Sequence, residues 1–227
     1  MRKLSVYWSI ALVFPIFAFL QTGTTWQLEA PMALFIIVLI AATLCAVAAG
    51  FLGYIARRNN QAELGFISAF YFAASIFPLV HGITLPGVLY SDNMVTMTSV
   101  FLSIPLGLVA MLPNLVPKTR LGRWAAQHWK GWTTSCYVLI SLAGVWMLAT
   151  PGLDVFPRPG SLEAWLSAMG LYILTLIAGS RHVWLARVAG KSGPLVIAFG
   201  YMLVGSSAFA FIDPSLWSPY FLSLIHI

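Results

Sequence analysis

The sequence predicts an all-α polytopic transmembrane bundle. Three observations carry that reading: seven apolar stretches separated by short loops, basic residues confined to alternate loops, and very little charge elsewhere. Of 227 residues, 60% are hydrophobic and 8% charged, against roughly 25% charged in a soluble domain. With a mean hydropathy of +0.89, this composition excludes a soluble globular protein. Arg2, Lys3, Arg57, Arg58, Lys118, Arg120, Arg123, Lys130, Arg181, Arg187 and Lys191 fall on one side of the bundle. Arg158 falls on the other, with Glu29, Asp92, Asp154, Glu163 and Asp213. The positive-inside rule then places the N-terminus in the cytoplasm, and seven crossings leave residue 221 outside. The net charge of +6 is accounted for by headgroup contacts at helix ends. No basic stripe with interleaved aromatics suggests nucleic acid.

The expected spans are 5–21, 32–56, 63–81, 95–115, 133–150, 162–180 and 194–212. Each holds roughly 17–25 residues, enough for a hydrocarbon core of about 30 Å. The first resembles a signal peptide at its Met-Arg-Lys start. However, Tyr7, Trp8, Phe14, Phe17 and Phe19 crowd it and no small-x-small cleavage site follows, so it reads as a retained helix. Pro31 and Pro194 suit first-turn positions, and Pro117, Pro151 and Pro214 suit stops. Pro15, Pro78 and Pro105 lie inside spans, where a lost backbone hydrogen bond bends a helix. Ala48, Ala49, Gly50 and Gly53 on the second span would allow close helix contact, as would Gly200, Gly205, Ser206 and Ser207 on the seventh. Trp26, Trp124, Trp129, Trp132, Trp165, Trp184 and Trp217 fall at expected interfaces as an aromatic belt. Between Lys118 and Lys130, Leu121, Trp124, Ala125 and Trp129 alternate with Arg123, Gln127 and His128, as in a short amphipathic helix on the inner surface.

Chemistry concentrates at the outer end of the third span, Phe77 to Asp92. There a histidine, His81, is followed by Gly82, Thr84, Pro86 and Gly87. Thr150-Pro151-Gly152 closes the fifth span on the same side. Such runs turn the chain sharply and leave hydroxyls and carbonyls available. His81, Thr84, Pro86, Gly87, Asp92 and Thr150 are therefore the candidate ligand-binding residues; the competing role for His81 is to bond loop carbonyls and close the bundle. No metal is expected. The one soft-donor arrangement, suited to Cu(I), is His81 with Met94 and Met97. Cys45 and Cys136 lie within spans and form no CxxC or Cys/His pattern.

No cofactor is expected. Haem ligation is disfavoured because His81 is outside, while His128 and His182 lie inside among exposed basic residues. A retinal protein is disfavoured because Leu195–Ile212 holds no lysine. The span cores carry no mid-membrane carboxylates for ion coupling. Ser68, Ser75, Ser99, Ser103 and Thr175 are expected to bond their own helix backbones. No catalytic motif is present, so the chain is not expected to be an enzyme. Its expected partners are the lipid bilayer, a small lipophilic ligand and a second copy of the chain.

The last six residues, Leu222-Ser223-Leu224-Ile225-His226-Ile227, match the translation of CTG-TCT-CTT-ATA-CAC-ATC, the end of a transposon adapter used for sequencing libraries. The expectation is one transmembrane domain over residues 1–221, adapter-derived residues 222–227, and a native chain continuing into an eighth helix. The His-Gly-x-Thr-x-Pro-Gly-x-Leu pattern of His81 to Leu89 resembles a motif in multi-helix membrane input regions of bacterial signalling proteins, such as membrane adenylate/guanylate cyclases or histidine kinases. The resemblance covers about a dozen residues and the general helix pattern. It implies a non-enzymatic sensor in a bacterial inner membrane, with His81, Thr84, Pro86 and Gly87 on the sensing face. Two other readings are a stand-alone transporter and a redox or metal protein using His81.

Overall fold

In a computed structural model the described residues are 2–13, 15–16, 31–85, 95–150, 152, 161–190, 193–206 and 208–209. Among them the chain is all-helical, with no strand. The helices are α1 (Arg2–Ala11), α2 (Pro31–Asn59), α3 (Ala62–Thr84), α4 (Val95–Leu115), α5 (Arg120–Gln127), α6 (Trp129–Ala149), α7 (Leu162–Ala189) and α8 (Gly193–Ser206). Four of these helices are long and apolar enough to cross a bilayer: α2, α3, α6 and α7. A fifth span results if Phe101–Leu115 of α4 is joined with α5 as one broken element. The chain is thus a multi-pass membrane protein. The expected first and seventh spans fall partly on residues outside those described. At 14 residues, α8 reaches only about 21 Å.

The chain divides into two compact units, Ala30–Val155 and the pair Met1–Glu29 with Phe156–Ile227. In Ala30–Val155, α2 turns into α3 at Asn60, whose φ of 50° is a left-handed conformation that asparagine tolerates. The Gln61 N–H donates to Ala56 O at 2.9 Å and closes the turn. α3 packs against α2, α4 and α6. Its apolar stretch is 61% buried, against 17% for α2 and 22% for α6, so α3 is the central helix.

Small residues let the neighbours of α3 approach. A Cβ on Gly107 would stand 2.8 Å from the Phe70 ring, and one on Gly144 would stand 2.7 Å from Ile76. Ala49 is buried and Gly53 meets Ser68, whereas Gly50 faces open space, so only part of the expected small-residue patch forms the contact. The outward faces carry Leu39, Ile40, Leu44, Val47 and Phe51 on α2, and Leu139, Leu142, Val145 and Trp146 on α6. Continuous exposed apolar faces of this kind suit lipid rather than water. α3 runs through Pro78, and α4 through Pro105 and Pro113, each as one helix.

At its far end α4 turns by 94° into α5. The Thr119 side chain caps α5, accepting from Gly122 N–H at 3.1 Å. Gly122 lies against the Val116 carbonyl so closely that a side chain there would collide with backbone. The short helix expected between Lys118 and Lys130 is therefore present, and α6 follows it at once. α6 begins four residues before the expected 133 because Trp129 is buried, and the Trp132 Nε1 donates to Ala110 O at 3.1 Å.

In the other unit, α7 packs against α1 and α8. Tyr7 OH donates to Ala198 O at 3.2 Å, and Tyr172 OH donates to Ala11 O at 2.6 Å. Gly205 lies against Thr175 and Gly179 against the Tyr7 ring, with no room for a Cβ at either. α7 runs past the expected residue 180 to Ala189 because Val183 and Ala186 continue its buried face. Gly190, at φ 65°, then ends it.

Candidate functional site

The end of Ala30–Val155 remote from α5 holds the polar residues selected from sequence. The site is built on the last turn of α3 and the first turn of α4. His81 is 2% exposed, and Thr84 and Thr96 are also buried. His81 donates from Nδ1 to the Thr96 carbonyl at 2.8 Å, a bond between the two helices. The carbonyl can only accept, so this bond fixes the proton on Nδ1. The Thr96 hydroxyl donates to Thr84 O at 2.6 Å, and Thr84 Oγ1 stands 3.2 Å from it. Thr84 donates back to Val80 O at 2.8 Å, which anchors the hydroxyl on its own helix. Ser99 Oγ donates to Thr96 O at 2.9 Å.

One imidazole and two hydroxyls thus form a buried joint between α3 and α4. Apolar packing surrounds it. Phe77, Val80, Val95, Ile140 and Met147 form one buried cluster, and Leu148 packs against it. On the α2 side, a Cβ on Gly82 would stand 3.3 Å from Val38. Thr150, one turn past Met147, donates its hydroxyl to Trp146 O at 2.7 Å within its own chain segment. Its helix end thus reaches the joint through Met147 and Leu148, while its hydroxyl bonds locally. Pro86, Gly87, Asp92 and Met94 lie outside the described residues, as does the side chain of Met97. Among the described residues no group of three His, Cys, Asp or Glu side chains converges as a metal site requires.

Sequence reasoning missed three features. Thr96 is half of the joint, and only its distance in space from His81, not its distance along the chain, reveals that. Ser68 was expected to bond its own helix, as Ser75 and Thr175 do. Instead Ser68 Oγ contacts Ala49 O of α2 and Tyr137 OH of α6, each at 2.5 Å, tying three helices together. His182 was expected among exposed basic residues. It is 1% exposed and stacked on Tyr201, with ring centroids 5.6 Å apart and Nε2 without a hydrogen-bond partner. The signal was present: Thr175, Gly179, His182, Val183 and Ala186 recur at helical spacing on one face. His128, by contrast, is exposed as expected.

No protein-family model, curated protein or solved structure matches this chain.

Proposed function

We propose that this chain is the membrane input module of a bacterial signalling protein. It crosses the inner membrane seven times from a cytoplasmic N-terminus and detects a small lipophilic signal near the outer face. It is not itself an enzyme. The observation that supports this reading is the His81–Thr96 bond between α3 and α4. A ligand that competes for His81 or for the Thr84 and Thr96 hydroxyls loosens that tie. Because α3 also packs on α2 and α6, a shift at its end is passed to the whole unit. Such a ligand favours whichever packing it binds better, which is all that signal transmission requires thermodynamically.

Two experiments test this. Reporter fusions after Lys130 and after Asp154 should report cytoplasm and outside; the reverse pattern overturns the orientation. For the joint, the full chain in nanodiscs is exposed to decanoic acid, indole and 1,4-naphthoquinone while hydrogen exchange is followed at Thr84 and Thr96. One of these probes should change exchange in the wild type and have no effect in His81→Ala inserted at wild-type abundance. If none of the probes acts and His81→Ala loses abundance, the joint only holds the bundle together.

A further inference from the structure

At the opposite end of the same unit lies a pocket of about 290 Å³ lined by Asn60, Gln127, His128, Trp129, Lys130 and Gly131. It sits where the α2–α3 turn meets the α5–α6 elbow. Trp129 is buried between them, its ring against Gly65, and its Nε1 donates to Asn60 Oδ1 at 3.3 Å. That bond fixes the amide, turning the NH₂ of Asn60 to the opposite edge. His128 donates from Nδ1 to Trp124 O at 3.0 Å, which orients its ring. Lys130 holds its ammonium 5.7 Å from the centre of the Trp129 ring.

The start of α6 lies at the same place. The α6 ladder begins with Trp132 N–H to His128 O at 3.1 Å, and no side chain caps the helix start. The amides of Trp129, Lys130 and Gly131 precede that first bond, and these three residues line the pocket. The described residues that line the pocket therefore carry an ammonium, a side-chain amide, an imidazole and a helix N-terminus, with no carboxylate among them. Along the chain the segments that form it carry Arg57, Arg58 and Arg123, against Glu63.

Its level relative to the bilayer follows from α5. This helix turns by 94° from α4 and leaves Leu121 and Trp124 exposed beside Arg120 and Arg123. Such a helix lies in the interface plane with its apolar residues toward the acyl chains. With α5 in that plane, a pocket at its end comes to headgroup level. At 290 Å³ it falls just below the roughly 300–1,000 Å³ of sites that enclose whole drug-sized ligands, which suits a headgroup whose acyl chains stay outside.

We propose that this pocket binds the phosphodiester of an anionic phospholipid, with Lys130, Asn60 and the α6 N-terminal amides as its donors. The leaflet depends on the orientation proposed above; the recognition chemistry does not. The test is native mass spectrometry and thermal melting of the full chain, comparing nanodiscs of phosphatidylcholine with nanodiscs containing phosphatidylglycerol. Phosphatidylglycerol should stay bound and raise the melting midpoint of the wild type. Lys130→Gln should weaken retention about fivefold, the scale of one lysine near an anionic surface, and Lys130→Arg should restore most of it. Arg120→Gln, outside the pocket lining, should retain the lipid nearly as the wild type does. Equal losses for Lys130→Gln and Arg120→Gln would show a diffuse surface charge effect and overturn the site. If inorganic phosphate in phosphatidylcholine nanodiscs reproduces the stabilisation, the pocket takes a free anion and the lipid assignment is wrong.

Discussion

At one end of the Ala30–Val155 unit, His81, Thr84 and Thr96 are buried and bond to backbone carbonyls within the bundle. At the other end, Asn60, His128 and Lys130 are exposed around a pocket at the end of the short helix α5. Both ends are polar, yet their polar groups do opposite work. In a bilayer a buried hydroxyl or imidazole is costly unless it finds a partner inside the protein, because no bulk water serves it there. At headgroup level the same kinds of group can stay open, since water and lipid phosphate serve as partners. The first arrangement ties helices together and changes only by breaking bonds. The second leaves donors available to a ligand without rearrangement.

The sharpest way to break this comparison is at Trp129, which joins the turn and the elbow. Trp129→Ala should destabilise the chain by about 3–5 kcal/mol, as removal of a buried large aromatic does. In an SDS titration the unfolding midpoint should fall strongly, while hydrogen exchange at Thr84 and Thr96 under native conditions changes little. If both ends loosen together, the unit is a single cooperative block and its two ends are not separable. Gly65→Val attacks the same contact from α3. Any Cβ at position 65 stands 2.6 Å from the Trp129 ring, and overpacking of that kind costs about 1–3 kcal/mol.

The joint end gives a smaller effect. Thr96→Val removes the hydroxyl that donates to Thr84 O and leaves the carbonyl that accepts from His81. Hydrogen bonds between membrane helices average about 0.6 kcal/mol and reach about 1.7. A loss near the upper figure is expected, because the Thr84 carbonyl stays buried. The midpoint of SDS unfolding measures it, and a neutral result would mean that the His81 bond to the Thr96 carbonyl and the apolar packing of Phe77, Val80 and Met147 hold this end without the hydroxyl.

What the sequence made legible follows from range. Apolar length marked α2, α3, α6 and α7, and alternation of Arg123 and Gln127 with Leu121 and Trp124 marked the surface helix. These signals lie within a single segment. The ends of α6 and α7 were misplaced because Trp129 and His182 read as interface and solvent residues, yet both face protein. At His182 the helical spacing of Thr175, Gly179, Val183 and Ala186 outweighs its basic neighbours Arg181 and Arg187. The site was half legible. His81 and Thr84 stood out as polar residues at an apolar helix end, but Thr96 looked like any threonine at a helix start. Its role depends on a contact 15 residues away in sequence, and no local pattern encodes that. The pocket was less legible still, since it joins Asn60 to residues 127–131 across two intervening helices.

Ser68 gives the smallest effect and the finest test. It lies between the two ends, and its hydroxyl meets both Ala49 O and Tyr137 OH. Tyr137 also packs edge-on against Phe72, ring centroids 4.6 Å apart. Ser68→Ala should cost only about 0.6 kcal/mol, because Gly53 and Ala49 keep α2 close and a methyl group fits where the hydroxyl was. Tyr137→Phe should cost about the same. The double variant should cost little more than either single one, since both remove the same bond. SDS unfolding of the four proteins measures this coupling. Strict additivity would mean that Ser68 acts through Ala49 alone, and that α6 is held to α3 by the glycine contacts at Gly144 and Gly65 rather than by any polar bond between the two ends.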